Sequence, residues 1–149
     1  MYEINDSTLF IKSINEDQTM IYEETKEFEV TDSVGNIVNN SCKYFGSSYL
    51  GRLAGTKRIL GVNYKAPIVI EESSEMIFFP TSSPRLKNCS WLSLKKVMDY
   101  KKNGEFTTVV FSNSFKIDIE MSYSSFDNQI LRAARLQMLL KNRKIRNNY

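Results

Sequence analysis

The chain contains no histidine. That absence removes the side chain best suited to proton transfer near neutral pH, and with it every Ser/His/Asp or Cys/His nucleophile arrangement. Cysteine is scarce too, with only Cys42 and Cys89. A structural zinc site takes about four nitrogen or sulfur donors, which this chain cannot supply alone. The two thiols could form one disulfide at most, and in a reducing compartment both are expected free and buried. Apolar runs are short, as in Ala66-Pro67-Ile68-Val69-Ile70, far below the roughly 20 residues of a membrane-spanning helix. The opening MYEINDSTLF has neither a basic nor an apolar stretch, so no secretory signal is read and a cytoplasmic location is expected. No enzyme, metal or cofactor is expected from this inventory.

What remains is a chain of 149 residues, 42% apolar and 12% aromatic, with three prolines. That is the size and composition of one globular domain spanning 1–149. The net charge of +3 conceals an asymmetry. Residues 1–32 carry nine acids against Lys12 and Lys26, and the rest carry eighteen cations against eight acids. No acid stands between Asp32 and Glu71, between Glu75 and Asp99, or after Asp127. Three acid-free stretches are the footprint expected of a phosphate-binding surface; the plainer reading is a solvated basic face.

The pattern predicts an α+β fold, mainly antiparallel sheet packed with two helices. The first forty residues read as a small meander, with Asp32 to Asn36 as a turn before an apolar Ile37-Val38. Ser41 stands where an N-cap would, and Cys42, Phe45, Tyr49 and Leu53 recur at spacings of three and four. A Gly-containing helix is therefore predicted over about 41–59. Strands follow at Ile68 to Ile70, Met76 to Phe79 and Trp91 to Leu94, with a basic loop from Pro80 to Asn88. Phe106 to Phe111 and Phe115 to Met121 form a hairpin around Ser112-Asn113-Ser114. A basic C-terminal helix is predicted over about 125–146, capped by Ser124 or Ser125 with Asp127 in its first turn. Its charge comes from Arg132, Arg135, Lys141, Arg143, Lys144 and Arg146; the last four also suit the helix C-terminal dipole.

The run Ser41 to Thr56, SCKYFGSSYLGRLAGT, is the most informative stretch. It holds three glycines, three aromatics and two cations with no acid. On a single helix Ser47, Gly51 and Gly55 would align four apart and leave a shallow groove for another backbone. The occupant could be a sheet of the same domain, a partner subunit or a DNA backbone flanked by Lys43, Arg52, Lys57 and Arg58. The segment Gly46 to Leu53 nearly spells a phosphate-binding P-loop, but Arg52 replaces the lysine and Leu53 the magnesium-binding hydroxyl, which argues against nucleotide hydrolysis. No zinc-finger, basic-zipper or RNA-recognition motif is present.

Several blocks resemble the ComK family of competence transcription factors. They are Cys42 to Tyr49 with Gly51-Arg52 and Ala54-Gly55-Thr56, Phe78 to Thr81, Ser83 to Ser93, Phe111-Ser112-Asn113, and Ser122 to Ala134 through Phe126, Asn128-Gln129 and Arg132. The acidic N-terminal third matches only weakly. The resemblance implies a DNA-binding activator of competence genes that recognises paired A/T-rich boxes largely through the minor groove. Narrow A/T minor grooves attract arginine, and their edges can be read by Asn, Gln or Arg. Arg52, Arg85, Asn128, Gln129, Arg132 and Arg135 are thus candidates for the groove, and Lys43, Lys57, Arg58 and Lys87 for phosphates. Paired boxes imply a dimer or a pair of dimers on double-stranded DNA. Longer family members continue past the position of Tyr149 into a tail that engages a proteolytic adaptor, so adaptor control by that route is not expected here. The alternatives are a short paralogue that dimerises with a full-length activator through the Ser47/Gly51/Gly55 face, and an RNA binder.

Overall fold

In the computed structural model, which describes residues 1–147 and side chains only as far as Lys144, the N-terminal alternation becomes the expected meander. Strands β1 (Thr8–Asn15), β2 (Gln18–Glu23) and β3 (Glu27–Val30) pair antiparallel. Strands β4 (Ile68–Glu71), β5 (Met76–Pro80) and β6 (Trp91–Ser93) complete a six-stranded sheet in the order β3-β2-β1-β6-β5-β4. The middle strands are buried on both faces, which explains their nearly unbroken apolarity. Ile11, Ile68, Ile70, Phe78 and Trp91 point into one core, and Phe10, Val69, Ile77, Phe79 and Leu92 into the other. Burying each of the larger of these side chains contributes about 1.5–3 kcal/mol.

The first core is closed by helix α1 (Val34–Tyr44), which lays Val34, Ile37, Val38 and Cys42 on the sheet. The segment expected to be a turn followed by Ile37-Val38 is therefore helical. Its cap is Ser33, whose hydroxyl accepts from the Asn36 amide at 3.1 Å. Ser41, expected as a cap, is buried mid-helix; it donates to the Ile37 carbonyl at 2.6 Å and accepts from the Ile4 amide at 2.9 Å.

The single helix expected over 41–59 is also corrected. The chain breaks after Phe45, where Gly46 adopts φ +85°, and restarts as α2 (Tyr49–Leu60), capped by Ser48 accepting from the Gly51 amide at 3.0 Å. A left-handed residue at this position terminates α1 as glycine commonly does. Helix α2 ends on Gly61 at φ 70°.

The second core is roofed by a three-stranded sheet, β7 (Val97–Asn103), β8 (Phe106–Phe111) and β9 (Lys116–Ile119), and by α3 (Tyr123–Asn147). The hairpin of β8 and β9 is as expected; β7, an edge strand with mostly exposed residues, is an addition. A turn of 3-10 helix, Leu94–Lys96, follows β6 where the strand was expected to include Leu94. At the start of α3, Ser122 accepts from the Ser125 amide at 3.2 Å and takes the capping part expected of Ser124 or Ser125. Asp127 is not in the first turn; it accepts from the Tyr100 hydroxyl at 2.6 Å. Arg146, counted among the helix cations, has a side chain outside the described residues.

Both cysteines are buried and free, as expected. Burial pushes the Cys42 thiol up to about 11 against the opposing pull of Arg52, and pushes the Cys89 thiol up as well. Thiolate is the reactive form, so neither cysteine should be alkylated by iodoacetamide at pH 7.5 in the native protein. Both should react once it is unfolded, as intact-mass spectrometry would show.

The two glycines of the 41–59 segment that differ most in environment should respond oppositely to alanine. Gly46→Ala should destabilise by about 1–2 kcal/mol because its φ disfavours a Cβ. Gly55→Ala meets nothing within 4 Å in an exposed helix interior and should stabilise by about 0.5–1 kcal/mol. Urea unfolding of the two variants measures both.

Candidate nucleic-acid interface

Acid-free sequence includes α2, the loop after it, the β5–β6 loop and α3 beyond Asp127, and the fold brings these four together. The buried side chain that joins them is Gln129, 2% exposed. Its amide nitrogen donates to the Lys65 carbonyl at 3.0 Å and the Pro80 carbonyl at 2.8 Å, and its oxygen lies 3.4 Å from the Arg132 guanidinium. Gln129 was a candidate for reading base edges. Its burial and its two backbone partners make it instead the residue that holds the basic loops in place. Arg132 also donates to the Tyr64 carbonyl at 3.0 Å, pinning the same loop from outside.

The β5–β6 loop is anchored on its other side. The Ser13 hydroxyl donates to the Lys87 carbonyl at 2.8 Å, the Ser90 hydroxyl accepts from the Ser13 amide at 3.1 Å, and the Thr81 amide donates to the Ser90 carbonyl at 2.8 Å. Arg85 and Lys87 are therefore exposed on a loop tethered at both ends, so their placement on the surface is fixed by the sheet.

Two hollows lie against this loop. One, of about 590 Å³, runs between it and the start of α1, over Trp91 and Cys89, with Arg85 and Lys87 at its rim. The other, of about 510 Å³, lies between it and α2, and is bordered by Lys57, Lys65, Tyr64 and Arg85 with no acid in its lining. Tyr49, Leu50, Pro84 and Arg85 line both and separate them, with Leu50 and Arg85 exposed at the top of this ridge and Tyr49 and Pro84 half-buried beneath. From the second hollow the exposed Asn128 and Arg135 continue with Arg132 along one face of α3, at positions i, i+4 and i+7.

Charge pairing sorts the cations. Lys87, Lys95 and Lys96 meet Glu16, Asp6 and Glu24, all from the acidic N-terminal third, and Lys141 meets Glu75 at 3.1 Å. Among the described residues, Lys43, Arg52, Lys57, Arg58, Lys65, Arg85, Arg132 and Arg135 have no carboxylate within 4.0 Å. The Lys87–Glu16 pair is well exposed on both sides, and such pairs are weak enough for a phosphate to displace.

Not every candidate joins this surface. Lys43 and Arg58 are exposed in the last turns of α1 and α2 and line neither hollow. Arg52 is half-buried near Cys42, its Nε removed from water without a partner. The aligned Ser47/Gly51/Gly55 groove does not form, because Ser47 precedes α2. A Cβ on Gly51 would meet the Ser47 Oγ at 2.8 Å, while Gly55 faces open space. Sequence reasoning missed Lys65, Tyr64 and Leu50. Lys65 has φ 50°, and its Nζ lies 5.4 Å from the Tyr64 ring centroid; its position within the longest acid-free stretch was the available signal.

The chain matches the family described as ComK protein over residues 1–145. It is 36% identical over 147 residues to the Competence transcription factor of Bacillus subtilis (strain 168), an alignment covering 95% of this chain and 76% of that protein. No solved structure matches it.

Because Gln129 donates to two carbonyls, Gln129→Leu should remove both bonds and cost about 1–3 kcal/mol for each carbonyl that stays buried without a donor. Chemical unfolding gives the cost, and hydrogen exchange should show faster exchange confined first to residues near 63–66 and 80–82.

Proposed function

The chain belongs to the ComK family, and we propose that it regulates transcription of competence genes by binding paired A/T-rich boxes of double-stranded DNA, largely through the minor groove. The observation that carries the reading is the arrangement of unpaired cations around one tethered ridge: Arg85 on it, Lys57 and Lys65 beside it, Arg132 and Arg135 beyond. A narrow A/T minor groove concentrates negative potential, and arginine enters it more readily than lysine because its guanidinium is less strongly hydrated.

In this reading Arg85 enters the groove, and Asn128, Arg132 and Arg135 extend the contact along α3. Lys57, Lys65 and Lys87 meet phosphates, with Lys87 leaving Glu16 to do so. Lys43, Arg52 and Arg58 flank the contact more distantly, and Gln129 contributes by holding the loops. Two half-sites call for two subunits, so the chain works as a dimer or a pair of dimers. It acts in the cytoplasm as one folding unit, a reading supported by the way both cores share the six-stranded sheet. No described helix is long and apolar enough to cross a membrane. No catalytic step, metal or cofactor enters this account.

Fluorescence anisotropy against a duplex carrying two A/T boxes and its G/C-swapped control, titrated with salt, tests the proposal. Tighter binding to the A/T duplex is expected, with log affinity falling linearly in log salt by about 0.9 per phosphate contact. Lys57→Ala should reduce that slope by about one and weaken both duplexes alike. Arg85→Ala should also narrow the A/T preference. Equal, weak binding to both duplexes would remove the reading in favour of a protein-interaction module.

A further inference from the structure

The ridge between the two hollows carries an apolar tip that phosphate binding does not explain. Leu50, in the first turn of α2, is 73% exposed, and Leu86, which follows Arg85 on the β5–β6 loop and lines the first hollow with Leu50, is 54% exposed. Pro84 stands beside Leu50 on the ridge. Leucines so exposed among cations contribute little to the cores, and clustered exposed apolar groups mark a surface that meets something.

The shape indicates what that is. A minor groove is about 6 Å wide and is walled by two sugar-phosphate strands. Its complement is a narrow ridge between two hollows, each with cations at its rim. Here Leu50, Pro84 and Arg85 form the ridge, Lys87 edges one hollow, and Lys57 and Lys65 edge the other. The unpaired Lys57 and Lys65 on one flank, and on the other an exposed Lys87–Glu16 pair that a phosphate can open, fit a DNA backbone better than an apolar protein surface, against which Lys57 and Lys65 would be desolvated without partners.

Resting on the minor-groove reading above, we infer that Leu50 is a wedge: it enters the A/T minor groove beside Arg85 and partly unstacks one base step, bending the duplex away from the protein. Proteins that bind this groove often use an apolar side chain in this way, and the unstacking cost is repaid by the extra surface the bent duplex wraps. A/T-rich sequences that contain TA steps deform most readily, so the wedge adds sequence preference without a hydrogen bond to any base.

The test uses the full chain and the two-box duplex with 2-aminopurine placed at successive positions within one box. Wild type should raise 2-aminopurine fluorescence at one step. Leu50→Ala should abolish that rise and weaken binding by about tenfold, while leaving the salt slope and the melting temperature unchanged. Arg85→Ala should lower the salt slope by about one and keep part of the fluorescence rise. Leu50→Met, which keeps an apolar side chain of similar volume, should restore the rise. Leu50→Ala matching wild type in affinity and fluorescence overturns the inference, as does a duplex that wild type binds tightly but leaves stacked at every probe position. If wild type fails to distinguish the A/T duplex from its G/C control, the reading beneath falls and the wedge falls with it.

Discussion

The basic surface depends on one buried carboxamide. Gln129 lies in the wall of the second core, next to Phe126, Ala133 and Leu136, yet its polar end reaches the Lys65 and Pro80 carbonyls. Those carbonyls sit at the end of the loop after α2 and at the end of β5, the two places from which the cation-bearing segments depart. A buried carbonyl without a donor costs about 1–3 kcal/mol, so the helix cannot shift by a turn without exposing or orphaning both. The placement of Tyr64, Lys65 and, through the start of the β5–β6 loop, Arg85 is therefore coupled to the packing of α3 on the sheet. That coupling supplies what a recognition surface requires, cations held on rigid supports rather than on independent loops.

The sequence made β4, β5 and β6 legible because those strands are buried on both faces. Short, nearly continuous apolar runs at Ile68 to Ile70 and Met76 to Phe79 leave few other interpretations, and the β8–β9 hairpin has clear turn residues. Helix α1 was missed for a specific reason. Val34, Ile37, Val38 and Cys42 have helical spacing, but Gly35, Asn36 and the three β-branched residues favour a turn and strand locally; burial against the sheet overrides that preference. Strand β7 lacks apolar alternation because residues on both of its faces are exposed, so burial imposes no period of two. The helix break at Gly46 was misread as helix interior because glycine spacing alone does not tell a C-terminal cap from a groove; only φ distinguishes them.

The candidate site was legible as chemistry and not as geometry. Acid-free stretches pointed to Arg85, Lys57 and Arg132, which the fold does bring to one side. They could not show that Gln129 lies inside, that Arg52 turns toward Cys42, or that Lys65 would join the set, because burial depends on pairings between distant segments.

The charge asymmetry becomes intelligible only in three dimensions. A chain with a net charge of +3 is barely basic, and uniform mixing would leave no face able to gather a polyanion. Here part of the acidic third is paired at the two ends of the β1–β2 hairpin: Asp6 and Glu24 meet Lys95 and Lys96 at one end, and Glu16, in the turn, meets Lys87 at the other. Coulomb attraction between exposed groups is weak, but it falls within a Debye length of about 8 Å at physiological salt, so acids paired locally contribute little field at the far side of the molecule. Among the described residues, Lys57, Lys65, Arg85, Arg132 and Arg135 then stand with no carboxylate within 4.0 Å, whereas Lys87 and Lys141 meet Glu16 and Glu75. Lys87 alone stands at the boundary of the two regimes, paired to Glu16 yet at the rim of a basic hollow. An anion arriving there exchanges one carboxylate for a phosphate at small cost, and because salt weakens the Lys87–Glu16 pair as well as the new contact, the affinity of this edge is less sensitive to salt than that of the unpaired Arg85 beside it.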